Sequence, residues 1–76
     1  MNNTRRKVIE VLATKVEDLQ NEIQEVLDEE QEYRDNMPEN LSDSENAAKS
    51  DEALGNLEDA VNSLEQANSN LTEATN

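Results

Sequence analysis

Apolar residues in the first half of the chain recur at Ile9, Leu12, Val16, Leu19, Ile23, Val26, Tyr33 and Met37. The steps alternate between three and four, and only Glu30 breaks the series. That is a heptad seam, with Ile9 and Leu12 as its first two core positions, and it predicts one long amphipathic helix. No Gly or Pro occurs before Pro38, so nothing interrupts it. Asn3 or Thr4 suits the N-cap. Pro38 disfavours helix at Met37 and lacks a backbone donor, which ends the helix there.

The second half repeats more openly. Ala53-Leu-Gly-Asn-Leu-Glu-Asp59, Ala60-Val-Asn-Ser-Leu-Glu-Gln66 and Ala67-Asn-Ser-Asn-Leu-Thr-Glu73 are heptads in register. Leu54, Leu57, Val61, Leu64 and Leu71 form their seam, with Asn68 as the polar member. Ala53, Ala60, Ala67 and Ala74 hold one flanking position throughout. Ser42 with Glu45 makes a capping box that starts this second helix, and Ser44 is the alternative cap.

These patterns predict a single all-α domain. Helix 1 covers about 4–37, a turn about 38–43, and helix 2 about 44–74. A short connection between long amphipathic helices makes them antiparallel neighbours, so the fold is a two-helix coiled-coil hairpin. With the turn centred near Asn40, the facing pairs run Ile9/Leu71, Leu12/Asn68, Val16/Leu64, Leu19/Val61, Ile23/Leu57, Val26/Leu54, Glu30/Ser50 and Tyr33/Ala47. One such seam buries too little apolar surface to stand firmly alone in so short a chain. Val8, Val11, Ala13 and Leu27 lie beside it and widen the apolar stripe, as does the alanine row. Val8, Val11, Leu27, Ala53, Ala60 and Ala67 are therefore the candidate dimer edge, through which two hairpins would form a four-helix bundle.

Composition narrows the chemistry. The 76 residues carry 19 acids and 6 bases, a net charge of −13, with no Cys, His, Trp or Phe. Without Cys or His there is no disulfide, no thiolate or imidazole metal site and no Cys–His or Ser–His pair. Asp43-Ser44-Glu45-Asn46 lacks the glycine and closing spacing of an EF-hand loop. Paired carboxylates such as Glu22 and Glu25 on an open helix have no substrate cavity. The reading is a non-enzyme with no catalytic residues, no metal and no cofactor. No stretch approaches the ~20 apolar residues of a membrane span, and Val8–Lys15 is too broken by charge for a signal peptide. A cytoplasmic protein is expected.

Charge is also unevenly placed. Residues 17–59 hold 16 acids against Arg34 and Lys49, whereas Arg5, Arg6, Lys7 and Lys15 lie toward the open end of the hairpin. The densest acidic run is Asp28–Asp35. Such a surface repels phosphates and anionic lipid, so neither nucleic acid nor membrane is expected as a direct partner. A protein with a basic surface is. Asp28, Glu29, Glu32 and Asp35 are the candidate contacts, with Glu22, Glu25 and Asp43 next.

Arg5-Arg6-Lys7, Glu29-Glu30-Gln31, Asn36-Met37-Pro38-Glu39-Asn40-Leu41 and Ser44-Glu45, followed by Ala/Leu/Glu heptads, resemble a set of short acidic hairpin proteins. These belong to bacteriophages and mobile elements of Gram-positive bacteria. The resemblance implies a small accessory phage product that inhibits a host or defence protein, and it carries over no site residue. Two functions follow as expectations. One is an acidic inhibitor that occupies a basic, nucleic-acid-binding surface. The other is a structural or adaptor coiled coil that dimerises or docks on an assembly through its apolar edge.

Overall fold

The computed structural model describes residues 1–41 and 43–76. Helix α1 runs Asn3–Asp35 and helix α2 runs Glu45–Ala74, joined through a short 3-10 turn at Glu39–Leu41. The two helices pack along their length as a hairpin rod measuring 60 × 14 × 13 Å.

Local chemistry accounts for the ends. The N-cap of α1 is Asn2, one residue before the expected candidates, and its side chain accepts from the Arg5 N–H at 2.7 Å. An Asn at this position satisfies one of the donors that the first helical turn leaves open. Helix α1 stops at Asp35, two residues short of the expected end. A helical Pro38 would press its ring against the Arg34 carbonyl. Instead the Met37 N–H donates to that carbonyl at 3.3 Å, and the Asn36 N–H closes on Glu32 at 3.0 Å. The turn is then held by Leu41 N–H to the Pro38 carbonyl and by Ser44 N–H to the Leu41 carbonyl. No described residue has positive φ, so the described part of the reversal uses ordinary backbone conformations.

Ser44 caps α2, accepting from the Ala47 N–H at 3.2 Å. The alternative cap is thus the one used, and Ser42 lies outside the described residues. Glu45 in the first turn complements the positive end of the helix dipole. The Lys49–Glu45 pair at 3.4 Å is highly exposed and contributes little.

The seam of α2 follows its heptads. Ala47, Ser50, Leu54 and Val61 are buried, and Leu57, Leu64, Asn68 and Leu71 are half-buried. The seam of α1 does not follow the expected rows. Ile9, Val16, Ile23 and Met37 are half-buried as anticipated, but they alternate with Ala13, Gln20, Leu27 and Arg34. Leu12, Leu19, Val26 and Tyr33 are 44%, 46%, 51% and 53% exposed. This is a correction to the expected layers Leu12/Asn68, Leu19/Val61, Val26/Leu54 and Tyr33/Ala47. Leu27, expected at the edge, sits in the seam. The physical reason is that α1 carries apolar residues on rows either side of Ile9/Val16/Ile23, and one neighbouring helix covers only one side. The rotation leaves the other row facing out.

Hydrogen bonds fix the register. The Ser50 hydroxyl donates to the Glu30 carboxylate at 2.6 Å, pairing the residues expected to face each other. The Asn68 amide donates to the Ala13 carbonyl at 2.9 Å, one residue beyond the expected Leu12. Arg34 reaches across to Asp51, with Nε at 2.8 Å and Nη2 at 3.4 Å from the two carboxylate oxygens.

Candidate functional site

Helix geometry sorts the exposed side of α1 into two adjacent strips. Residues seven apart lie nearly above one another, so Leu12, Leu19, Val26 and Tyr33 make a straight apolar row. Steps of three and four place Asp18, Glu22, Glu25, Glu29 and Glu32 in a second line beside it. All five acids are exposed, and none has a cationic partner among the described residues. An uncovered apolar row with an acidic margin is the most distinctive feature of the surface.

Both strips end at the turn, in an open pocket of about 600 Å³. Tyr33, Met37, Pro38 and Leu41 give it an apolar floor, and Glu29 and Glu32 stand on its rim. Pro38 makes this possible, because ending α1 early lets Met37 and Leu41 turn toward the end of the hairpin. Leu41 remains 48% exposed there.

The candidate contacts divide between faces. Glu22, Glu25, Glu29 and Glu32 border the apolar row. Asp28 and Asp35 point farther round the rod, where they accept from Gln24 and Gln31, each at 2.9 Å. Asp43 is exposed beyond the turn. Glu30 belongs to the seam. Arg34 is held by Asp51, and that hydrogen bond raises the Arg34 pKa above its ordinary value against some desolvation; the charges of Asp51, Asp35 and Asp43 assist. The one base inside the acidic cluster is therefore already engaged and stays protonated.

The candidate dimer edge also divides. Val8 and Val11 are 53% and 55% exposed on α1. Ala53, Ala60 and Ala67 are half-buried on α2. The register set by Glu30/Ser50 and Ala13/Asn68 places these alanines beside Val26, Leu19 and Leu12, so the apolar row and the alanine row share one face of the hairpin. Sequence reasoning found the alanine row but missed its large-residue companion. The signal was present in the strict seven-residue spacing of Leu12, Leu19, Val26 and Tyr33, which fits an outward row as well as a seam.

The basic end is simply arranged. Arg6 donates weakly to Asn3 at 3.5 Å, and Glu73 accepts from Asn76 at 3.4 Å. Among the described residues no cluster of three Asp or Glu side chains is placed to hold a metal ion. Among the same residues no helix is long and apolar enough to cross a membrane. Comparison with known proteins finds no matching family model, curated protein or solved structure.

Proposed function

We propose that this chain is a non-catalytic interaction protein that presents acidic side chains to a basic, nucleic-acid-binding surface of another protein. In this reading it acts inside a bacterial cell as a phage or mobile-element inhibitor of a host or defence protein. The observation that carries it is the line Glu22, Glu25, Glu29 and Glu32, exposed on a rigid helix with no cation against it among the described residues. Carboxylates spaced along a stiff rod meet a basic groove without reorganising, which favours fast, salt-sensitive association.

The test is capture from a bacterial lysate at about 50 and 500 mM salt, where screening lengths differ severalfold. The captured protein should bind DNA or RNA, and added chain should displace that nucleic acid. A variant carrying Glu22→Gln, Glu25→Gln, Glu29→Gln and Glu32→Gln should lose capture while keeping its helical circular-dichroism spectrum. Capture indifferent to salt and to these four changes would remove the electrostatic reading.

The exposed apolar row favours a second reading, docking through the apolar face. Monomeric proteins rarely leave large side chains aligned in this way, and such rows mark interaction sites. The two readings are compatible, because the acidic line and the apolar row are adjacent and distinct.

A further inference from the structure

We propose that the apolar face is covered by a second copy of this chain, lying face to face with the first and turned end for end. The proposal rests on the docking reading and commits it to one occupant. Three features point to the same arrangement.

The first is the symmetry of the row. Leu12, Leu19, Val26 and Tyr33 are evenly spaced, so reversing the helix end for end superposes the row on itself. Leu12 then lies opposite Tyr33 of the second copy, and Leu19 opposite Val26. A two-fold dimer needs a self-complementary patch of this kind. The antiparallel two-fold that lays α1 on α1 also lays the alanine rows on each other, where small side chains permit close approach.

The second is charge. In a parallel pair the acidic turn halves would coincide and repel. Turned end for end, each acidic half meets the other copy's basic end. Lys15 falls opposite Glu29. Arg5 is the next member of the apolar row toward the open end, and it falls over the turn of the second copy.

The third is the pocket. The reversal that matches the rows also sets Val8 against Asn36, which lines the pocket, and carries Arg5 just past it, over the turn around Glu39 and Asn40. A pocket bordered by an acidic turn suits a segment that carries a valine and an arginine one helical turn apart. The chain has such a segment at Arg5–Val8, and Val8 is exposed in the single hairpin. A hairpin face of 60 × 14 Å is also large enough for the ~800 Å² per partner that a stable dimer buries. The unfavourable element is Glu22, which meets its own copy near the two-fold axis.

Sedimentation equilibrium of the full chain across a concentration series gives the assembly size. A dimer is expected, and Leu19→Lys should weaken it by about 100-fold or more. Because Leu19 is exposed in the hairpin, that variant should retain its helical circular dichroism. Lys15→Glu should weaken the dimer about tenfold by opposing Glu29, and adding Glu29→Lys should restore it. Orientation is read by crosslinking, which is clean in a chain without cysteine. Glu22→Cys should crosslink to itself through a short bis-maleimide, whereas Glu10→Cys, far from the axis, should not. A monomer at millimolar concentration would overturn the second-copy occupant, while salt-sensitive capture of another protein would still leave the acidic reading standing. A dimer indifferent to Leu19→Lys, an unrestored charge swap, or Glu22→Cys that does not crosslink would overturn the arrangement itself.

Discussion

The hydrogen bond from Ser50 to Glu30 makes a sharp test of how this thin seam is held. Ser50 is 4% exposed and Glu30 is half-buried, so the bond sits where water competes for only one of its partners. A hydrogen bond to a charged acceptor contributes about 1.5–3 kcal/mol when well shielded, and the half-open carboxylate places this one near the lower figure. Ser50→Ala removes it and regains about 0.5 kcal/mol of helix propensity, for a net loss of about 1 kcal/mol. Glu30→Ala should cost less. It also relieves repulsion within Asp28–Asp35, and a buried serine hydroxyl in a helix can turn back to the carbonyl four residues earlier. The relief of repulsion cancels in a double-mutant cycle, whereas the serine's new bond does not, so the cycle should return a coupling of about 1 kcal/mol, at or below the worth of the bond itself. Replacing the layer outright with Glu30→Leu and Ser50→Ala should stabilise the hairpin beyond the unmodified chain, because an apolar pair there needs no partner. Urea unfolding followed at 222 nm, a standard helix band, supplies all the values if every variant is measured at one chain concentration. Coupling below about 0.3 kcal/mol would refute the view that this layer is held by its hydrogen bond.

Two further substitutions probe other parts of the rod. Gly55 lies inside α2, and a Cβ built there meets nothing within 4 Å, so Gly55→Ala should raise stability by about 0.8–1 kcal/mol, seen as a higher urea midpoint; no change would mean that α2 is already frayed at that point. Asn68 bonds the Ala13 carbonyl across the seam, and Asn68→Leu should raise the thermal midpoint while broadening amide signals in NMR spectra, because a polar core residue fixes register at a cost in stability; a sharper, single set of signals would show that Asn68 does not set it.

How far the sequence discloses the structure differs between the two helices. In α2 the apolar residues fall on a narrow stripe with polar neighbours outside the alanine row, so the heptads Ala53–Glu73 leave one way to face a partner. In α1 they occupy three adjacent rows, headed by Leu12, Ile9 and Ala13. The Ile9 row makes a seam of the right period with either neighbour. The choice between them depends on where α2 settles, a non-local matter that periodicity cannot resolve. The expected row therefore appears outside, and Leu27 appears inside. The turn was legible because Pro38 acts through its own ring. The caps were legible only to within one or two residues, since several Asn, Ser and Thr side chains compete for each end. Exposure of Asp28, Glu29, Glu32 and Asp35 follows from their places away from the seam, but the alignment of Glu29 and Glu32 beside an apolar row required knowing which row turned outward.

The length of the rod changes what its charge means to anything approaching it. At physiological ionic strength the field of an exposed charge dies away over about 8 Å. The rod is 60 Å long, several such distances end to end. An approaching molecule thus never experiences the total of −13. It meets a succession of local potentials, negative over the turn half and changing sign near Arg5–Lys7. Two proteins of the same net charge would behave differently if their acids were shuffled along the same helices, and an isoelectric point would not tell them apart.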